Sequence, residues 1–269
     1  MTESTRTAYE RVQLARDKDR PNIREYIEHL FTDFFEQRGD RGDMDDRSIV
    51  GGIAMLGDTP VTVIGHMKGH TLEENVACNF GMPQPEGYRK AMRLMRQAEK
   101  FRRPVITFVD TPGAYPGLEA ERHGQGEAIA QSIMLMSELT VPVISIVTGE
   151  GSSGGALAIS VANSLWMLEN AVYSVLSPEG FAAILWKDGS RAADAAELMR
   201  LTAQDLYAAG ICDRIIGEPE SGFAGDCGAF YAELKEQLTT EVAALSAQSG
   251  SALRQQRYKK FRTIGDCRG

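Results

Sequence analysis

The chain has 269 residues, 43% of them apolar, 25% charged and 7% aromatic, enough apolar material for a substantial core and incompatible with a disordered chain or a small disulfide-stapled scaffold. With 29 Lys plus Arg against 37 Asp plus Glu the net charge is −8, so no global field draws the chain to nucleic acid or to an anionic membrane. No window approaches about 18 consecutive apolar residues, and the opening MTESTRTAYERVQ lacks the apolar stretch of a secretory signal, so a cytoplasmic protein without membrane contact is expected.

The first segment, Met1 to Arg20, is strongly charged with few apolar anchors, and reads as either a frayed helix or a partner-dependent arm. Ile23, Tyr26, Ile27, Leu30, Phe31, Phe34 and Phe35 then follow at the spacing of one apolar helix face, closed by Gly39. From Ile49 the character changes: IVGGIAML, a turn at Gly57-Asp58-Thr59-Pro60 and VTVIG predict a hairpin. A helical period between Glu86 and Phe101 precedes the apolar run VITFV after Pro104. The unit recurs with a helix from about Gln125 to Leu139 and the strand VISIVTG. Continuous apolar strands alternating with amphipathic helices predict parallel βαβ units and an α/β class. Helix and strand return between about Asp194 and Arg214, and a long helical tail begins near Ala229.

The chain thus divides into a helical arm (1–45), a core (46–220) and a helical tail (221–269). That tail carries Arg254, Arg257, Lys259, Lys260, Arg262 and Arg268, read as a solvated face in preference to a binding patch, since cations suit a helix C-terminus. Cys78, Cys212, Cys227 and Cys267 are scattered, with no CxxC pair and no nearby histidine at zinc-ligand spacing. Free thiols, no disulfide framework and no metal site are expected.

The loop VTGEGSSGGALAI sits between a strand and a helix, where backbone N–H groups face out of the sheet and favour negative charge. Gly154 and Gly155 let a substrate oxygen approach without a Cβ in the way, as an oxyanion hole requires; tight helix–strand packing is the alternative use of such glycines. Gly151-Ser152-Ser153-Gly154-Gly155 also matches G-x-S-x-G, which would make Ser153 a nucleophile. All four histidines, His29, His66, His70 and His123, lie upstream, so the hydrolase order of serine, acid, histidine fails; an order with histidine first stays open. Asp110-Thr111-Pro112-Gly113 is like the D-x-x-G segment of GTPases, but no G-x-x-x-x-G-K-[ST] loop exists to cradle phosphates. What remains is a turn at the end of a strand, one wall of a cleft. Gly124-Gln125-Gly126-Glu127 opens another helix nearby, where Glu127 serves at least the helix dipole. His66 and Lys68 follow the VTVIG strand toward the same cleft, with a solvated Lys68 the preferred reading.

The segments IVGGIA, VIGHMKGH, NFGMPQPEGYRKAMRLM, PVITFVDTPGAYPG, GQGEAIA, GEGSSGGALAI, YSVLSPEG and AAILWKD, in order from about Ile23 to about Ile216, resemble the α subunits of bacterial acetyl-CoA carboxylase carboxyltransferase. The resemblance implies a crotonase-type spiral of ββα units with helical N- and C-terminal extensions. It implies a zinc-containing homologous β subunit in an α2β2 assembly, with the active site between the subunits. Carboxybiotin on the biotin carboxyl carrier protein would give its carboxyl group to acetyl-CoA, yielding malonyl-CoA for fatty acid synthesis, with the α chain on the biotin side and no metal of its own. The family's glycine loop assigns Gly154 and Gly155 to the hole for the ureido oxygen, and Gly113, Ala114 and Ser153 to the cleft wall. Two departures stand out: Ser152 replaces a glycine of the family's loop, and HTLEENVACNFG carries fewer basic residues than its counterpart. A stand-alone crotonase-like acyl-CoA hydrolase or isomerase is the alternative.

Overall fold

The computed structural model describes residues 6–42 and 44–265. Cys267 and Arg268 lie outside the described residues. Helix α1 (Ala8–Ala15) is closed by a capping box between Thr7 and Glu10 and buries Ala8, Val12 and Ala15. These pack on Val172, Ala196 and Leu201, so the charged arm is docked over this span. In α2 (Ile23–Leu30) the Asn22 side chain accepts from the backbone N–H groups of Arg24 and Glu25, and Ile23, Tyr26, Ile27 and Leu30 are buried.

The helix expected through Phe35 stops there. Phe31 is already extended, with φ −124°, and strand β1 (Thr32–Glu36) follows. Phe34 packs against the core while Phe35 is 67% exposed, so the two rings point to opposite faces as in a strand. Pairing with β2 (Ile49–Leu56) decided the outcome over a locally helical spacing.

Strands β2 and β3 (Thr59–His66) form the expected hairpin, paired from Ile49 opposite His66 to Leu56 opposite Thr59 around a turn in which Gly57 takes φ +57°. After α3 (Leu72–Ala77) comes α4 (Pro85–Lys100), whose Pro85 starts the helix where no N–H is needed. The chain then runs through β4 (Val105–Thr111), α5 (Leu118–Arg122), α6 (Gln125–Glu138), β5 (Val143–Ser152) and α7 (Ser153–Leu157). Next come β6 (Ser164–Leu168), β7 (Val172–Ser174), α8 (Pro178–Trp186), α9 (Ala192–Met199), α10 (Ala203–Ala208) and β8 (Arg214–Ile216). The tail is two helices, α11 (Gly228–Ser246) and α12 (Gly250–Thr263). Of its cations, Arg257 is buried and Lys260 is ion-paired to Asp213, so the solvated-face reading fails at both.

The sheet order is β1-β2-β3-β4-β5-β6-β8, parallel from β3 onward. Strand β5 pairs with β6 through Ile144–Val147 and with β7 through Glu150–Ser152, so it bridges two arms of the sheet. Every residue of β5 is buried, which accounts for its unbroken apolar and small composition. Because β4 and β5 are parallel neighbours, their C-terminal loops, DTPGA and GEGSSGG, emerge side by side. Among the described residues no helix is long and apolar enough to cross a membrane.

Candidate functional site

The turn after β4 is held by its own side chain: the Thr111 hydroxyl donates to Gly113 O at 2.8 Å and accepts from Gly113 N–H at 3.0 Å. This fixes Gly113 at φ +143°, a conformation that favours glycine, with open space where a Cβ would stand. Gln125, at the start of α6, donates from Nε2 to Pro83 O and Tyr115 O at 2.9 and 3.0 Å, pinning the chain just beyond Ala114. Glu127, by contrast, is exposed and bonded to Gln131 on its own helix, away from the turn.

The glycine loop meets this turn backbone to backbone. A Cβ on Gly155 would lie 2.6 Å from Ala114 N and 2.6 Å from the Gly113 carbonyl carbon, distances no real Cβ occupies. Gly154 is less confined, its nearest neighbour being Ile129 Cγ2 at 3.3 Å. Ser153 is exposed and left-handed at φ +59°, turning the chain sharply from β5 into α7. Ser152 is buried and extended, at φ −109° and ψ 136°, a conformation any residue adopts, so its replacement of glycine introduces no strain. Its side chain does not cap α7, and the N–H groups of the first turn point out with no helical acceptor of their own.

Among the described residues no histidine is hydrogen-bonded to Ser153. His66 Nδ1 accepts from Asp110 N–H at 3.4 Å, His70 bonds Lys18 O and Glu25, and His123 bonds Glu86. The G-x-S-x-G geometry is present without the partner that would make it nucleophilic. Burial, with the neighbouring Lys68 charge, holds His66 down at about 3, against the opposing pull of the Gly155 and Phe108 backbone groups beside it. A histidine kept neutral by the fold gives stability that is complete above its ordinary value of 6.5 and is lost as pH falls from there toward about 3. His66→Gln is therefore expected to lose about 2 kcal/mol less than the wild type between neutrality and about pH 5. Urea unfolding of both forms at the two pH values checks this, and equal losses refute it.

Lys68 departs from its expected solvated state. Its side chain is 22% exposed, and Nζ donates to Asp110 Oδ1 at 2.7 Å and to Glu150 Oε2 at 3.1 Å. Burial alone would push the ammonium down, but the two carboxylates together hold it above its ordinary value. Asp110 Oδ1 also accepts from Glu150 N–H at 2.9 Å, tying the two strand ends directly. Glu150 receives Arg16 Nε at 2.7 Å, and Arg16 reaches Glu179 on α8 at 2.8 Å, so the N-terminal arm clamps the loops from behind. A polar cleft of about 280 Å³ opens over this network, with Arg16, Lys68, Asp110 and Glu150 in its wall. Sequence reasoning gave Asp110 only a place in a cleft-wall turn and passed over Glu150 and Arg16 as site residues. The signal was the position of the two acids at the ends of buried strands, directly before the glycine turns.

On the other side, Ser153 and Gly154 line an apolar cavity of about 490 Å³ with Leu157, Tyr173, Val175 and Phe261. The structure thus brings Gly113, Ala114 and Gly155 into contact, with Gly154 and Ser153 on the adjoining rim. Among the described residues no three His, Cys, Asp or Glu stand together as a metal site.

A family model described as acetyl co-enzyme A carboxylase carboxyltransferase-like matches residues 3–265. A Clostridium acetobutylicum protein named acetyl-coenzyme A carboxylase carboxyl transferase subunit alpha is 55% identical over 259 residues, 96% of this chain and 94% of its own. A longer Natranaerobius thermophilus protein, named subunits beta/alpha, is also 55% identical, the match covering 96% of this chain and 43% of that one. Among solved structures, transcarboxylase 12S superimposes with a TM-score of 0.70 at 18% identity, over 88% of this chain and 45% of its own, which makes the fold crotonase-type. The docked glycine turns, the crotonase-type spiral and a family match from end to end agree: the chain belongs to the acetyl-CoA carboxylase carboxyltransferase α-subunit family.

Proposed function

We propose that this chain is the half of a two-chain acetyl-CoA carboxyltransferase that receives biotin, passing a carboxyl group from biotin on the biotin carboxyl carrier protein to acetyl-CoA to give malonyl-CoA. Family membership supports the reaction class, and the relative that carries beta and alpha in one chain supports a β subunit as the partner. The zinc of that pair belongs, on this reading, to the β chain, and the assembly is α2β2.

The observation that carries the proposal is the contact of Gly155 with Gly113 and Ala114. It leaves the first-turn N–H groups of α7 beside a bare backbone surface, which fits the ureido carbonyl oxygen as it gains negative charge when the carboxyl leaves the adjacent ring nitrogen. Carboxybiotin, when bound, supplies the activated carboxyl group. This chain supplies fixed N–H donors whose geometry needs no reorganisation, and each such donor contributes roughly 3 kcal/mol to such a step. On this reading no side chain of this chain has to accept a proton.

Carboxyl transfer from carboxybiotin to acetyl-CoA, assayed with the chain alone and with its β partner, tests the proposal. Malonyl-CoA formation by the pair and not by the lone chain is expected. Thioester hydrolysis by the lone chain would overturn it in favour of a stand-alone hydrolase.

A further inference from the structure

His66, the last residue of β3, is 2% exposed and lies on the face of the sheet that carries the glycine loop. Ile64, Thr107 and Ser145 stand in one row across β3, β4 and β5. The hydroxyls of Thr107 and Ser145 lie 2.7 and 3.2 Å from Ile159 O, so this face looks onto the segment that leaves α7. Side chains two residues apart on a strand share a face, which puts His66 on the α7 side with Ile64.

The Nδ1 of His66 accepts from Asp110 N–H at 3.4 Å. An amide N–H only donates, so Nδ1 bears no proton and the neutral ring carries its proton on Nε2. Burial keeps the ring in that neutral form. Nε2 is itself buried, and no side chain of the described residues bonds to it. A carbonyl in want of a donor lies opposite. Gly155 is buried, and the helix passes over its oxygen: Ala158 N–H donates to Gly154 O, Ile159 N–H to Ala156 O and Ser160 N–H to Leu157 O. A buried carbonyl left out of its helix needs a donor from elsewhere. The Gly155 backbone stands beside the His66 ring and favours its protonated form, which among backbone groups only a carbonyl oxygen does.

We propose that His66 is a positioning residue for carboxyl transfer: oriented at Nδ1 by Asp110 N–H, it presents Nε2–H to Gly155 O and so sets the direction of the first-turn N–H groups of α7. The peptide unit is planar, so holding the Gly155 carbonyl fixes Ala156 N–H in the same plane, and the short helix passes the constraint to the donors before it. One ring thereby ties the end of β4, which opens into the Gly113 turn, to the loop that follows β5. The role in transfer rests on the glycine-loop reading above; the tautomer of the ring and its bond to Gly155 do not.

Nitrogen NMR of the full chain, labelled at histidine, tests the bond itself. One ring of the four, assigned by its absence in His66→Gln, should carry its proton on Nε2, exchange it slowly with water and stay neutral down to about pH 5. A proton on Nδ1, or a ring already cationic at about pH 5, overturns the proposal.

Steady-state kinetics in the assembled carboxyltransferase test the role. His66→Asn places its amide near the former Nδ1 and leaves Gly155 O unmet, so kcat should fall roughly thirtyfold with the KM for acetyl-CoA unchanged. His66→Gln reaches the former Nε2 with an amide N–H, so its kcat should stay within about threefold of wild type. A ring that merely fills the core predicts equal losses, since both variants remove it. Equal losses, a full rate in His66→Asn, or a change in KM in place of kcat overturns the proposal. Failure of the glycine-loop reading shows separately, as full activity of Gly155→Ala, and leaves the NMR result standing.

Discussion

Gly155→Ala is expected to lower the rate of carboxyl transfer roughly a hundredfold while the chain still folds and assembles with its partner. The reason is steric and local. The added methyl would sit 2.6 Å from Ala114 N and from the Gly113 carbonyl carbon, and 3.1 Å from Gly113 Cα, all backbone atoms of a turn braced by Thr111 and by Gln125. A flexible side chain would swing aside, but this turn has to shift as a unit, and a displacement of about 1 Å misaligns donors whose effect depends on geometry. Gly155→Val pushes farther and should leave no measurable transfer. Gly154→Ala meets only Ile129, at 3.3 Å, and should cost a few-fold at most. Gly126→Ala is the control: nothing lies within 4 Å of its Cβ, and Gly126 stands in the first turn of α6, so the rate should hold and the melting temperature should not fall. Steady-state kinetics on the four variants, each checked for assembly, decides the matter. A wild-type rate in Gly155→Ala would move the reacting oxygen elsewhere.

Much of this site was legible in the chain because its parts are local. Strands β4 and β5 read as buried parallel strands since both faces are covered, and the glycine loop read as an anion-holding junction since strand, small residues and helix follow one another directly. The contact between Gly155 and Gly113 was legible only through the topology that makes β4 and β5 neighbours. Phe34 and Phe35 misled because helical spacing is a local signal, and pairing with β2 outweighed it. The N-terminal arm read as a frayed helix or a partner-dependent segment because the groups that dock it are distant, Arg16 meeting Glu150 across 134 residues. Lys68 is the same case, bound to acids 42 and 82 residues away, and Arg257 looked like one cation of a surface helix until the packing of α12 buried it. Composition tells how many charges exist, and only the fold tells which of them meet.

Lys68→Met carries the second large effect, on stability. The substitution leaves Asp110 and Glu150, with side chains 15% and 9% exposed, facing each other without the ammonium between them. Removing one partner from a largely buried charge cluster costs about 3 kcal/mol, most of it from the carboxylates left behind. Arg16 still reaches Glu150, so the loss should not be greater than that. The gap between wild type and variant should stay constant from about neutral to mildly alkaline pH, since a raised lysine gives its full contribution below its ordinary value of 10.5 and loses it as pH rises from there through the raised folded value. Glu150→Gln in the Lys68→Met background relieves the repulsion, and its amide can donate to Asp110, so the double variant should regain part of the loss. Denaturant unfolding of wild type, single and double variants measures all three. Because Asp110 and Glu150 directly precede the two glycine turns, the same series should lower kcat for carboxyl transfer and spare the KM for acetyl-CoA, the double variant recovering both stability and rate. If stability falls and kcat does not, Lys68 holds the strands together without setting the distance between the two turns.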